Sequence, residues 1–262
     1  VIDLHCHVLP GIDDGPTTIE GSLALVKAAA AAGTRTIVAT PHVSWRYPND
    51  AVTIARLTAE LNERLAREGV AVEVRTGAEI ALTQVVNLNP AQLSSLGLGG
   101  GPWLLIEPPF IATATGFDML VLDLMRHGHR VVIAHPERCP AFHADPSMLV
   151  SLVSAGALTS ITAGSLVGRF GEHVRRVALG LAWEGMIHNV ASDAHDQAKR
   201  PPGMAAEIER ARLGPLTEWL TQDVPAAILR GEEAIPPRPA VALPRIGTSR
   251  RRWWRRSTLP AD

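Results

Sequence analysis

Short apolar runs recur along this chain, and each is followed by a longer stretch of helical period. The runs are VIDLHCH (1–7), RTIVATPH (35–42), VAVEVRTGAEI (70–80), WLLIEPP (103–109), RVVIAHPE (130–137), LTSITAG (158–164) and IHNVASDAH (187–195). Runs of this length, rich in Val, Ile and Leu, predict strands. Between them lie predicted helices. One begins at Thr17, with Glu20 three residues on as a capping box, and stops at Gly33. A second runs from Asp50 to Gly69, and further helices fit 115–128, 145–155, 171–185, 204–212 and 214–230.

Seven strands alternating with helices predict an α/β domain with a parallel sheet covered by helices. A closed barrel and an open doubly wound sheet both satisfy that order. The polar residues favour the barrel, because nearly every strand ends in His, Asp or Glu. In a parallel barrel those ends gather around one opening, whereas an open sheet concentrates them at one switch point. After about residue 232 the periodicity fails. The predicted domain is therefore 1–232, and the Pro- and Arg-rich 233–262 is expected to be a disordered tail.

Composition adds bounds. The chain has 262 residues, of which 46% are hydrophobic and 19% charged, as globular domains are. No apolar run is long enough to span a membrane, and no signal peptide is expected ahead of Asp3. Two cysteines, Cys6 and Cys139, make no disulfide framework, so a cytoplasmic location is expected. The net charge of −1 hides an asymmetry: residues 236–262 hold seven arginines against one acid, Asp262, a charge of +6 that leaves −7 on residues 1–235.

The strand ends carry the candidate chemistry. Residues i and i+2 of a strand share a face, so His5 and His7 point together while Ile2, Leu4 and Cys6 face the covering helices. An HxH alone is more often two partly exposed histidines at a strand end than a metal site. The other strand ends change that balance: His42 ends ATPH, Glu79 lies in GAEI, Glu107 follows LLI, His135 follows VVIA, and Asp193 and His195 sit two apart in SDAH. Ionisable groups buried behind such apolar runs are costly without a partner. A metal supplies one. With Asp14 these residues exceed what a single tetrahedral site can use and suit two or three ions. Mixed imidazole and carboxylate donors favour Mn, Fe, Zn or Co.

DLHCHVLPGIDDGP, TPH, GAEI, HPER, SLVGRFG and SDAHD…RPPGM resemble the polymerase and histidinol phosphatase (PHP) superfamily. More closely they are similar to its CpsB/YwqE-type branch of metal-dependent protein-tyrosine phosphatases. The likeness runs in order from Val1 to about residue 230. It implies a distorted seven-stranded (β/α)7 TIM-like barrel, the PHP fold, with a trinuclear and usually manganese centre. On that resemblance His5, His7, Glu79 and Asp193 hold one ion, and Glu79 bridges to a second held also by Glu107 and His135. Asp14, His42 and His195 hold the third, with Asp13 the neighbour that could be exchanged for Asp14. The resemblance also implies a partner, the phosphotyrosine tail of a bacterial tyrosine kinase that controls capsule or exopolysaccharide export.

Arg138 in HPER and Arg200 in KRPP are the candidates to fork onto phosphoryl oxygens. Trp45, Arg46 and Tyr47 stand at the expected rim, to stack on a substrate ring or to pack on the next helix. Cysteine-nucleophile chemistry fails on spacing: the sixth residue after Cys6 is Ile12, and after Cys139 it is Asp145, neither an arginine. No GxSxG occurs, and GLGGG (97–101) reads as a turn. Two departures stand out. Gly203 occupies a position where the family commonly has histidine. The tail RRRWWRR lies outside the family pattern and reads as a solvated segment, or as one in weak contact with an anionic membrane surface. The rival functions are a small-molecule phosphoesterase acting on histidinol phosphate or sugar phosphates, a PHP-type exonuclease, and a non-catalytic metal-binding scaffold. The −7 body opposes stable nucleic-acid binding.

Overall fold

The structure is a computed structural model and describes residues 1–112 and 114–243. Its strands are β1 (Ile2–Cys6), β2 (Thr36–Ala39), β3 (His42–Val43), β4 (Glu73–Thr76), β5 (Glu79–Ala81), β6 (Trp103–Glu107), β7 (Arg130–Ala134), β8 (Leu158–Thr162) and β9 (Asn189–Ala191). All pair in parallel, in a three-stranded sheet β1-β2-β4 and a six-stranded sheet β3-β5-β6-β7-β8-β9. At the end of β1, Cys6 bridges to Ala194 past the end of β9. There Asp193 N donates to His5 O at 2.8 Å, and His7 N donates to Ala194 O at 2.9 Å.

Two of the seven expected strands are each broken in two. Thr40 and Pro41 separate β2 from β3, because proline offers no N–H to a ladder and restricts the residue before it. Gly77 and Ala78 separate β4 from β5. The chain there runs so close to β2 that a Cβ on Gly77 would stand 2.6 Å from Val38 Cγ1. The breaks rotate the following residues, so His42 and Glu79 open the short second segments rather than closing the first. β7 and β9 stop just before His135 and Asp193, whereas β6 runs to Glu107 itself and β1 includes His5.

The helices are amphipathic and bury one stripe. Ala51–Arg67 buries Ile54, Leu57, Leu61 and Leu65, and Asp50 caps it by accepting from Thr53 N at 2.7 Å. The cap of Ile19–Ala31 is Thr18, not Thr17: its Oγ1 accepts from Gly21 N at 3.2 Å. The reciprocal position thereby falls on glycine, which has no side chain to complete a capping box. The stretch expected as a helix over 214–230 is helical from 214 to 229 but irregular. A 3-10 turn (Gly214–Leu216) and a π turn (Trp219–Asp223) precede a helix at Val224–Leu229, and Pro225, which has no N–H to donate, sits where the π turn gives way to that helix. GLGGG is a turn, with Gly99 and Gly100 at positive φ.

Beyond residue 232 the described chain forms no helix or strand. Trp219 Nε1 nevertheless donates to Pro236 O at 2.9 Å, and Arg238 donates to Ala182 O at 2.8 Å. RRRWWRR lies outside the described residues. Among those described, no helix is long and apolar enough to cross a membrane.

Candidate metal centre

All nine side chains expected as ligands meet on one side of the sheets, where β1, β6, β7 and β9 end and β3 and β5 begin. Their donor atoms form four groups, within each of which every atom lies within 4.8 Å of the others: His7, Asp14, His42 and His195; His5, His7 and Asp193; His5, Glu79 and His135; His42, Glu79 and Glu107. Four of the nine, His5, His7, His42 and Glu79, serve two groups each, so the groups form one continuous cluster. Glu79 Oε2 stands 3.3 Å from His5 Nε2, 3.3 Å from His7 Nε2 and 3.0 Å from His42 Nδ1. Asp193 Oδ1 stands 3.4 Å from His5 Nε2 and 3.6 Å from His7 Nε2.

Local backbone aims these groups. His135 (φ +30°) and Asp193 (φ +52°) are two of three non-glycine residues with left-handed backbone among those described. Such a conformation costs about 1–3 kcal/mol and collects at functional sites. Asp3, on the same face of β1 as His5, accepts from Ser192 N and from the Ser192 hydroxyl, which fixes the loop carrying Asp193 and His195.

The two adjacent aspartates divide the work. Asp14 Oδ1 faces His195 Nε2 at 3.2 Å and His42 Nε2 at 3.5 Å. Asp13 turns the other way: it takes His7 Nδ1 at 2.7 Å and accepts from Gly15 N at 2.9 Å and His42 N at 3.2 Å. A side chain at Gly15 would collide with the carbonyl oxygen of His7, so the tight DDG turn needs glycine. Asp13 thus ties His7 to the loop through Gly15 N and His42 N.

Arg138 and Arg200 also reach the cluster, where both guanidinium groups converge on Asp193 Oδ2, Arg138 at 2.6 Å and Arg200 at 2.5 Å. Phe170 lies under both, 4.8 Å from the Arg138 guanidinium carbon and 6.0 Å from that of Arg200. Phe170 and Phe110 carried no chemical signal in the sequence. Only their places in SLVGRFG and EPPF, beside ligand-bearing strand ends, point to them.

Charge inside the cluster is finely opposed. Burial works against the Asp193 carboxylate, but His5, Arg138 and Arg200 hold it well below the usual carboxylate range. Burial, then the charge of Glu79, pushes Glu107 up to about 8. Burial, then Arg138, pulls His135 down to about 4. Burial opposes the charged form of His7, yet Asp13 and Glu79 raise it to about 10.

The residues fit divalent cations. Glu79 Oε2 and Asp193 Oδ1 are buried with no hydrogen-bond partner, although imidazole nitrogens surround them. An unpaired buried carboxylate oxygen is expensive, and a cation removes the penalty. The oxygen and imidazole donors suit borderline divalent ions. Neither cysteine competes: Cys6 and Cys139 are 0% and 1% exposed, and burial raises both thiols.

Fold and site together define a parallel α/β protein with a buried cluster of carboxylate and imidazole donors at one end of its strands, a donor set of the kind used in metal-assisted hydrolysis. Residues 1–218 match the family described as capsular polysaccharide synthesis, CpsB/CapC, and the chain belongs to that family. It is 39% identical over 201 residues to the tyrosine-protein phosphatase YwqE of Bacillus subtilis, covering 76% of this chain and 79% of that protein. It is 33% identical over 202 residues to the putative tyrosine-protein phosphatase CapC of Staphylococcus aureus, covering 77% and 79%. Among solved structures, one from a study of YwqE of Bacillus subtilis and CpsB of Streptococcus pneumoniae, described as unique metal-dependent tyrosine phosphatases, matches with a TM-score of 0.80. That match has 34% sequence identity and covers 92% of this chain and 100% of the other.

Proposed function

We propose that this chain is a metal-dependent protein-tyrosine phosphatase linked to capsule or exopolysaccharide synthesis. The observation that carries the reading is the continuous cluster of nine donors, with two arginines at one edge, in a chain whose relatives are named for this activity. The finer reading is a distorted seven-stranded barrel, with β2/β3 and β4/β5 each counting as one strand and the Cys6–Ala194 bridge joining its ends. His5, His7, Asp14, His42, Glu79, Glu107, His135, Asp193 and His195 would hold two to three ions, manganese first. The substrate would be the tyrosine-rich tail of a bacterial kinase in the cytoplasm.

When bound, such ions supply Lewis acidity and make hydroxide available at neutral pH. The protein's own groups do the rest. Asp193 holds Arg138 and Arg200 in place, so their remaining N–H groups are pre-aimed for phosphoryl oxygens. Arg200 Nε is buried without a hydrogen-bond partner. Tyrosine suits this site as a leaving group, because its phenol pKa of about 10 lets it depart with little protonation.

The test is a comparison of rates, with manganese added, on a phosphotyrosine peptide, histidinol phosphate and single-stranded DNA. The reading expects the peptide to be the best substrate. Preference for histidinol phosphate would make the chain a small-molecule phosphoesterase, and preference for DNA an exonuclease, against the −7 charge of residues 1–235.

A further inference from the structure

Ions and arginines act on the phosphoryl group, which every phosphomonoester shares. Selection of tyrosine must come from what surrounds the leaving group. A cleft of about 290 Å³ opens directly onto the cluster, with His42 and Glu107 in its lining. Its other walls include Trp45, Tyr47, Pro109 and Phe110.

Two of these aromatic rings are anchored to candidate ligands. The Tyr47 ring stacks on His42 at 5.7 Å between centroids and 10° between planes. The Phe110 ring stacks on His135 at 5.5 Å and 26°, with the Arg138 guanidinium carbon 5.4 Å from its centre. Phe110 is nevertheless 50% exposed, and Trp45 is 80% exposed. Large apolar side chains left open beside a polar centre mark a place where something apolar binds. Pro108 and Pro109 fix the backbone dihedral φ at the two positions before Phe110, which narrows the conformations open to that wall.

We propose that Phe110 and Tyr47 form a slot for the phenyl ring of a phosphotyrosyl side chain, with Trp45 meeting the residues beside it. Given the phosphatase reading on which this rests, the slot explains why an aromatic ester is favoured. The ring gains edge or face contacts with Phe110 and Tyr47 that a serine or glycerol ester cannot make. Because each wall stacks on a histidine of the cluster, the ring is held in register with the phosphoryl group.

The experiment uses the full chain loaded with manganese and the variants Phe110→Ala, Tyr47→Ala and Phe110→Trp. Two quantities are read: the ratio of kcat/KM on a phosphotyrosine peptide to that on glycerol phosphate, and the affinity for phenylphosphonate against methylphosphonate. Phe110→Ala is expected to lower both ratios by about two- to tenfold, the range of an aromatic contact, mainly through KM. Tyr47→Ala is expected to do the same, and Phe110→Trp to restore them. Unchanged ratios in both alanine variants would overturn the slot. So would an equal loss on both esters accompanied by loss of metal, which would make Phe110 a support for His135. If wild type ignores the phosphotyrosine peptide, the phosphatase reading fails, and the phosphonate pair still judges the slot by itself.

Discussion

Asp13 Oδ2 lies 2.7 Å from Nδ1 of His7, and this contact turns the other ring nitrogen of His7 into the cluster. Burial works against the Asp13 charge, but the hydrogen bond with His7 holds its carboxyl below the usual range. Carboxylates that orient ligating histidines in this way are worth about 10- to 100-fold in metal affinity. Asp13→Ala is expected to weaken metal binding by that amount while the protein stays folded. Titration of metal into the stripped protein, with circular dichroism alongside, checks it; wild-type affinity in the variant contradicts the role.

Chelation should abolish hydrolysis of p-nitrophenyl phosphate, and added manganese should restore it. Thiol alkylation under native conditions should leave the rate unchanged, because both thiols are buried and raised by burial. The opposite pattern would point to cysteine chemistry.

Much of this site can be read from the chain itself, and the reason is geometric. Parallel strands end on one side, and a His or Glu placed just after LLI or VVIA stands out against its apolar run. Side-chain alternation in a strand is enough to pair His5 with His7. What could not be read depends on turns and on distant packing. Asp13 and Asp14 are adjacent in a loop, and only the tight turn at Gly15 decides which of them faces His195. Phe110 and Phe170 are ordinary apolar residues until folding sets them beside Arg138. The strand breaks at Pro41 and Gly77 are audible in the sequence as breaker residues, but the apolar residues on either side mask them.

Gly77→Ala should destabilise the fold. Its Cβ would press on Val38 across β2 and β4, an overpacking that costs about 1–3 kcal/mol. Urea denaturation at fixed pH and metal content measures it, and an unchanged midpoint contradicts the close approach.

His188 should make stability depend on acid. Burial, then Arg238, lowers it from 6.5 to about 4, and its Nδ1 accepts from Thr159 N at 3.1 Å. The unfolded chain binds this proton more readily, so the stabilisation is full above about pH 6.5 and is lost as pH falls towards 4. The loss amounts to about 3 kcal/mol. His188→Asn should flatten the decline between pH 7 and pH 5 in denaturant titrations of metal-free protein, and an unaltered slope would show that other groups carry it.

Metal content against the integrity of Glu79 decides the central claim most directly. Elemental analysis of purified wild type, dialysed against manganese and then desalted, should give more than one equivalent per chain. Glu79→Gln, which keeps the shape but removes the charge shared by two donor groups, should hold at least one equivalent fewer and lose hydrolysis. Wild type that retains no ion, or a variant that retains as many as wild type, would contradict it.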